Sequence, residues 1–231
     1  MPRSAFTGRA AILTVLALLT CPSANVSGEK APVTREQLCV TKGAIEAGSG
    51  THLKVSVPEM RAVLLNQTAQ FVEARLTYLG PSAGEKRLQS GELRRQIGLK
   101  LRAANGCNLV YVMWRIAPKA GVVVSVKRNP GMSTHAECGT HGYSNVKPEW
   151  SSPAPLLRKG ENHILRAELD KSLEVWIDDK LVWLGPLNQT AMALDGPVGI
   201  RSDNGIFEFE LLAPQPVSDT PIPCHASDED E

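Results

Sequence analysis

Apolar and polar residues alternate with a period of two through the second half of the chain, and this pattern supplies the clearest element predictions. Leu165, Ala167 and Leu169 alternate with Arg166 and Glu168, and Leu173, Val175 and Ile177 alternate with Glu174, Trp176 and Asp178. That is the period of a strand with one buried face. Asp178 and Asp179 separate two such runs at the spacing of a two-residue hairpin loop. A loop of that length sets Trp176 opposite Leu181, Val175 opposite Val182 and Glu174 opposite Trp183. One hairpin face then holds Leu173, Val175, Ile177, Val182 and Leu184 as core, and the other gathers Trp176, Leu181 and Trp183 beside Glu174.

Earlier segments repeat the pattern. Residues 51–57 place Leu53, Val55 and Val57 on one face, and residues 70–78 place Val72, Ala74, Leu76 and Tyr78 there. Residues 96–103 turn Ile97, Leu99, Leu101 and Ala103 inward, while residues 108–116 and 121–126 are apolar on nearly both faces, as central strands are. Between them, residues 80–94 dissolve into Gly, Ser and charge, a long connection or a short helix. Residues 128–160 form an irregular stretch with Pro130, Gly131, Gly139, Gly142, Pro148, Pro153 and Pro155, and a loop of that length inside a domain is functional or disordered. Helical periodicity is almost absent. The pattern predicts an all-β fold.

Two stretches carry a family resemblance. LEVWIDDKLVWLG at 173–185, followed by GPVGIRSDNGIFEFELL at 196–212, resembles the closing half of concanavalin A-like (laminin G-like) jelly-roll domains. It is most similar to those related to bacterial secreted 3-keto-disaccharide hydrolase domains, whose last strands read Gly, apolar, Gly, apolar, Arg, a small polar turn, then Phe-x-Phe. Those positions are residues 196–201, residues 202–205, and Phe207 with Phe209. RQIGLKLRAANGCNLVYVMWRI at 95–116 resembles the central strand pair of the same domains, so the resemblance spans about residues 69–212. It implies a jelly-roll sandwich of two antiparallel sheets. Because its motifs are structural, it implies sugar cleavage only by analogy of fold.

At the N-terminus, Arg3 and Arg9 precede an apolar run over residues 10–19 and then Thr20, Cys21, Pro22, Ser23 and Ala24, the layout of a secretory signal peptide. Cleavage near Ser23 or Ala24 is one expectation. The other is a lipoprotein signal ending before Cys21, which would then be lipidated and tether the domain to a membrane. The organisation expected is a signal peptide at 1–24, a flexible spacer at 25–35, the sandwich at 36–213 and a Pro-rich acidic tail at 214–231. Lys and Arg total 25 against 24 Asp and Glu, for a net charge of +1. Nothing in that balance suggests nucleic acid or anionic lipid as a partner. Apart from Cys21, four cysteines remain, Cys39, Cys107, Cys138 and Cys224, enough for two disulfides in an exported protein, with three possible connectivities. The resemblance favours Cys39 with Cys224, since the first and last strands of such sandwiches lie together, which leaves Cys107 with Cys138.

The residues that could carry chemistry fall into three groups. His135, Glu137, Cys138 and His141 include a Cys-x2-His spacing within the range of zinc ligands, but no second ligand pair matches it and an oxidised Cys138 cannot ligate. A disulfide-stapled surface loop is the reading adopted, and neither a metal nor any other cofactor is expected. Glu137, Glu149, Glu174 and Asp203 are the carboxylates available for a glycosidase pair, though no acid-x-acid strand signature joins them. Asp178, Asp179 and Asp203 are too scattered to argue calcium. Tyr143 and Trp150 on the irregular stretch, with Trp176 and Trp183 on the hairpin, could stack against sugar rings. Arg201, Asn204, His135 and His141 could fix the hydroxyls. Asn25, Asn66 and Asn188 head glycosylation sequons. The expectation is an exported, non-enzymatic module that binds carbohydrate or a cell-surface partner. A glycoside-cleaving hydrolase of the 3-keto-disaccharide type and a structural envelope protein are the alternatives.

Overall fold

In the computed structural model, which describes Met1, residues 29–214 and Cys224, with residues 66–68 described by backbone only, the alternating segments become strands. In chain order they are β1 (Lys30–Pro32), β2 (Leu38–Lys42), β3 (Glu46–Ala47), β4 (Leu53–Val55), β5 (Glu59–Thr68), β6 (Phe71–Pro81), β7 (Arg95–Asn105), β8 (Asn108–Ala117), β9 (Gly121–Lys127), β10 (Tyr143–Asn145), β11 (Trp150–Ser151), β12 (Asn162–Leu169), β13 (Leu173–Ile177), β14 (Lys180–Gly185), β15 (Pro197–Asp203) and β16 (Gly205–Pro214). They form two antiparallel sheets. One has seven strands in the order β10-β9-β8-β7-β15-β5-β2. The other has nine, in the order β11-β14-β13-β12-β6-β16-β4-β3, with β1 also paired to β16. The expected signal peptide beyond Met1, Cys21, Asn25 and most of the acidic tail lie outside the described residues.

The core fills the space between the sheets. Ile97, Leu99, Leu101, Val110, Val112 and Trp114 face it from the seven-stranded sheet. Val72, Ala74, Leu165, Ala167, Phe207 and Phe209 face it from the other. Each of the larger side chains contributes about 1.5–3 kcal/mol of hydrophobic stabilisation before entropy is counted. Trp114 is fully buried, yet its indole N–H is satisfied by the Pro155 carbonyl at 3.2 Å.

The hairpin of β13 and β14 turns at Asp178 and Asp179, whose φ angles of 49° and 59° are the positive values a two-residue turn requires. Asp178 tolerates this because its carboxylate accepts from the Ile164 N–H at 2.9 Å and stands 2.8 Å from His163 Nδ1. The expected register fails beyond Trp176. A bulge between Val175 and Trp176 pairs Val175 with Trp183 and Glu174 with Leu184. One extra residue exchanges the faces of everything after it. Trp183 therefore enters the core, 3% exposed, and Leu184 leaves it. A second irregularity, with Arg102 at φ 49° and a register shift between Leu101 and Asn105, sends Ala103 to the opposite side of its sheet, among Leu109, Tyr111 and Met113.

Two more expectations change. Residues 29–35 join the domain instead of serving as a spacer: β1 pairs with β16 and Val33 is buried. The irregular stretch at 128–160 is structured, with α1 (His135–Cys138), β10 on the edge of one sheet and β11 on the edge of the other. Residues 82–94 form a connection without a helix. The disulfides are Cys39–Cys224 and Cys107–Cys138.

Candidate functional site

Register across the seven-stranded sheet decides which side chains share its outer face. One row runs Ser125, Tyr111, Lys100, Gly199, Val63, Cys39; the next Val123, Met113, Gly98, Arg201, Arg61, Lys42; a third Arg115, Gln96, Asp203, Glu59. Tyr143 and Lys127 extend the face at the β10 edge. The alternate residues of the same strands fill the core, so this face is fixed by the hydrophobic pattern of the other.

The outer face is unusually rich in buried polar groups. Arg201 binds Asp203 through Nε at 3.0 Å and Nη2 at 3.2 Å, and Gln96 donates its amide to the same carboxylate at 2.5 Å. Asp203 is 0% exposed and Gln96 1%. Burial alone would raise the Asp203 carboxyl, but Arg201, Arg61 and Gln96 together hold it below the usual carboxylate range. Burial opposes the charge on Arg201 as well, yet Asp203, Tyr111 and Tyr143 keep it firmly protonated. The Arg201 guanidinium sits 5.0 Å from the centre of the Tyr111 ring, which stacks at 6.1 Å on Tyr143. Burial, with Tyr143 beside it, pushes the Tyr111 phenol up to about 12. Glu59 stands cross-strand from Asp203 and pairs with Lys42 at 3.6 Å and Arg61 at 3.8 Å.

Three polar atoms here are buried without a hydrogen-bond partner among the described residues: Arg61 Nη1, Gln96 Oε1 and Arg115 Nε. Native proteins leave few such atoms unsatisfied, because each costs about 1–3 kcal/mol. They supply two donors and one acceptor to a ligand once the side chains that cover them shift.

The residues singled out from sequence are scattered. Tyr143, 43% exposed, Arg201 and Asp203 share the face just described. Trp150, 46% exposed, lies opposite Leu184, and Trp176 lies under the Arg166 guanidinium at 4.9 Å; both are on the outer face of the other sheet. Trp183 is core. Asn204 is a structural turn residue at φ 56°, clamping the 82–94 connection through the Lys86 N–H and the Lys86 and Arg94 carbonyls. Glu137 caps α1, accepting from the Ser133 and Thr134 N–H groups at 2.8 Å, and these bonds lower its pKa. Glu149 is exposed near β11 and Glu174 sits on the outer face of the nine-stranded sheet. The four carboxylates form no pair. With Cys138 in a disulfide, the His135–His141 cluster loses its thiol. Among the described residues no three His, Cys, Asp or Glu side chains converge as a metal site.

Sequence reasoning missed Tyr111, Arg61, Gln96 and Arg115. Arg61 had a signal, since Met60, Ala62 and Leu64 alternate around it; Tyr111 did not, because its strand is apolar on both sides. Cavities also lie elsewhere among the described residues. One of about 650 Å³ on the nine-stranded sheet is lined by Arg75, Thr77, Asn162, Asp178 and Glu210. Thr77 pairs there with Asn162 and Arg75 with Glu210, while His163 Nε2, in the same lining, is buried without a hydrogen-bond partner among the described residues. Another, of about 370 Å³, opens between the sheet edges beside Val122, Ser152, Leu156 and Trp183.

No protein-family model matches the chain, and no protein with a curated description matches it. Solved structures do. A carbohydrate-binding module from Bacillus subtilis superposes with a TM-score of 0.51 at 13% identity, covering 75% of this chain and 91% of the module. The LamAcat structure from Zobellia galactanivorans gives 0.45 at 14% identity, covering 74% and 80%, and the metal-free Emp46p carbohydrate recognition domain 0.47 at 9%, covering 77% and 87%. At such identities the likeness concerns architecture alone. With the two antiparallel sheets and their strand order, it shows that the chain folds as a concanavalin A-like jelly-roll sandwich.

Proposed function

We propose that the protein is an exported, non-catalytic module that binds carbohydrate on the outer face of the seven-stranded sheet. The observation that carries this reading is the set of buried, unpartnered polar atoms, Arg61 Nη1, Gln96 Oε1 and Arg115 Nε, on the same face as the stacked Tyr111 and Tyr143 rings. Sugar hydroxyls donate and accept, and sugar C–H faces stack on aromatic rings, so a saccharide lying on Tyr143, which is exposed and has the buried Tyr111 ring behind it, meets both features. The Bacillus subtilis neighbour, described as a carbohydrate-binding module, agrees with the reading. Two disulfides and the N-terminal signal sequence support export.

Isothermal titration against a polysaccharide panel tests it. Tyr143→Ala is expected to weaken the bound saccharide about tenfold, equivalent to about 1.4 kcal/mol. An unchanged affinity would move the site off this face.

Hydrolysis remains the second reading because Asp203 and Glu59 are cross-strand neighbours. A glycosidase needs one carboxyl held protonated, and the surroundings of Asp203 do the opposite. Release of reducing ends that disappears in Glu59→Gln would establish catalysis and displace the binding-only reading.

A further inference from the structure

We infer that the saccharide taken by this face is anionic, a glycan carrying carboxylate or sulfate groups; the inference rests on the carbohydrate-binding reading above. The strands place Lys42, Arg61, Lys100, Arg115, Lys127 and Arg201 on the outer face, and only Glu59 and Asp203 as carboxylates. That excess belongs to the face, because the chain as a whole carries a net charge of +1.

The two carboxylates are already engaged. Asp203 is held by Arg201 and Gln96, and Glu59 lies between Lys42 and Arg61. Arg61 reaches Glu59 through Nη2, and its Nη1 stays buried and unpartnered. Arg115 is in the same condition at Nε, with both Arg94 and Glu92 nearby. A neutral hydroxyl can accept one N–H bond from such a group but does nothing to balance the local excess of positive charge. A carboxylate or sulfate does both, and its paired oxygens match the guanidinium fork.

The arrangement also has direction. Arg201, Arg61 and Lys42 occupy three adjacent strands in one row, so their charges follow one another at about the 4.8 Å strand spacing. A chain of charged sugars crossing the strands meets Lys42 and Arg61 in succession, with Arg201, buried and held by Asp203, adding its charge from beneath.

The test is titration of the full, disulfide-bonded chain at low salt with a neutral β-glucan, a neutral fructan, a polyuronate and a sulfated galactan. The expected result is at least tenfold tighter binding of one or both polyanions than of the neutral glycans, weakening as salt rises. The polyuronate and the sulfated galactan tell the two anionic groups apart. Arg61→Gln should abolish the preference, and Lys42→Gln, at a more exposed position, should reduce it in a chain whose fold is not at risk. Arg75→Gln on the opposite sheet should leave it intact; equal loss there would mean unspecific charge attraction and overturn the inference. Because Asp228, Glu229, Asp230 and Glu231 follow Cys224, which is bonded to Cys39 at the edge of this face, the titration is repeated with those four acids as amides. Polyanion binding that appears or tightens in that variant supports the inference. Neutral glycans bound as tightly as polyanions would overturn it while leaving the carbohydrate reading in place, and no saccharide bound by either chain would overturn both.

Discussion

The two sheets turn alternating strands outward in the same way, yet their outer faces treat charge differently. On the nine-stranded sheet, Arg75 pairs with Glu73 at 3.1 Å and Glu210 at 3.5 Å, and Arg166 with Glu168 at 3.5 Å and Asp179 at 3.6 Å. Each guanidinium there faces two carboxylates, and the partners range from the exposed Arg75 to the buried Glu73. On the seven-stranded sheet the cations outnumber the carboxylates, and Lys100, Lys127, Arg201 and Asp203 are buried. Buried ion pairs are weak devices for stability, since well-packed apolar residues often serve as well or better. Stability alone therefore gives no reason for the second arrangement, although the first face too has buried atoms without a hydrogen-bond partner in Arg166 Nε and Trp176 Nε1. The contrast is why we propose the binding function for the seven-stranded face.

Breaking the buried pair should have the largest effect. Asp203→Asn removes the charge opposite Arg201 and leaves that guanidinium uncompensated, which should cost about 3–5 kcal/mol in urea denaturation. A loss below about 1 kcal/mol would mean that water reaches the pair and that the two faces are alike. The pH dependence has a definite sign. The folded-state pKa of Asp203 lies below its unfolded value near 3.9, so its contribution is complete above that value and is lost as pH falls through the lowered one.

A change of comparable size separates the tryptophans. Trp183→Ala empties a core position and should cost about 3–5 kcal/mol, while Trp176→Ala, on the outer face, should cost clearly less by the same measurement. Equal losses would contradict the bulge at Val175. This pair shows what the sequence could and could not convey. The hairpin, its turn and its core residues Leu173, Val175 and Ile177 were legible because period two and the Asp178–Asp179 spacing are local signals. The bulge was not, because an inserted residue shifts the phase of Trp183 and Leu184 without altering composition. The same limit applied to the site. Arg201 and Asp203 stood out as residue types, but β15 lies between β5 and β7, so Arg61 and Gln96 reach them only through pairing of strands distant in sequence.

A smaller effect should come from Tyr111. Its phenol, pushed up to about 12 against about 10 in an unfolded chain, favours the fold while neutral. That contribution is complete below pH 10 and disappears as pH rises toward 12, a loss of about 2–3 kcal/mol. Denaturation midpoints at pH 9, 10 and 11 should fall more steeply for the native chain than for Tyr111→Phe. Parallel curves would show that the ring is solvated and that this part of the face is open.

The smallest effect belongs to the control face. Arg75 is 54% exposed in its side chain, so solvent screens its pairs with Glu73 and Glu210. Arg75→Gln should cost no more than about 1 kcal/mol, and the difference should vanish at high salt. Arg61→Gln need not follow that pattern, because it removes both a half-satisfied guanidinium and the source of an unpartnered N–H. Relief of the second offsets part of the first. Its stability cost should therefore be modest and insensitive to salt. If Arg75→Gln instead lost more than about 2 kcal/mol at every salt concentration, the nine-stranded face would also hold its charges out of solvent, and burial could no longer single out the other sheet as the binding side.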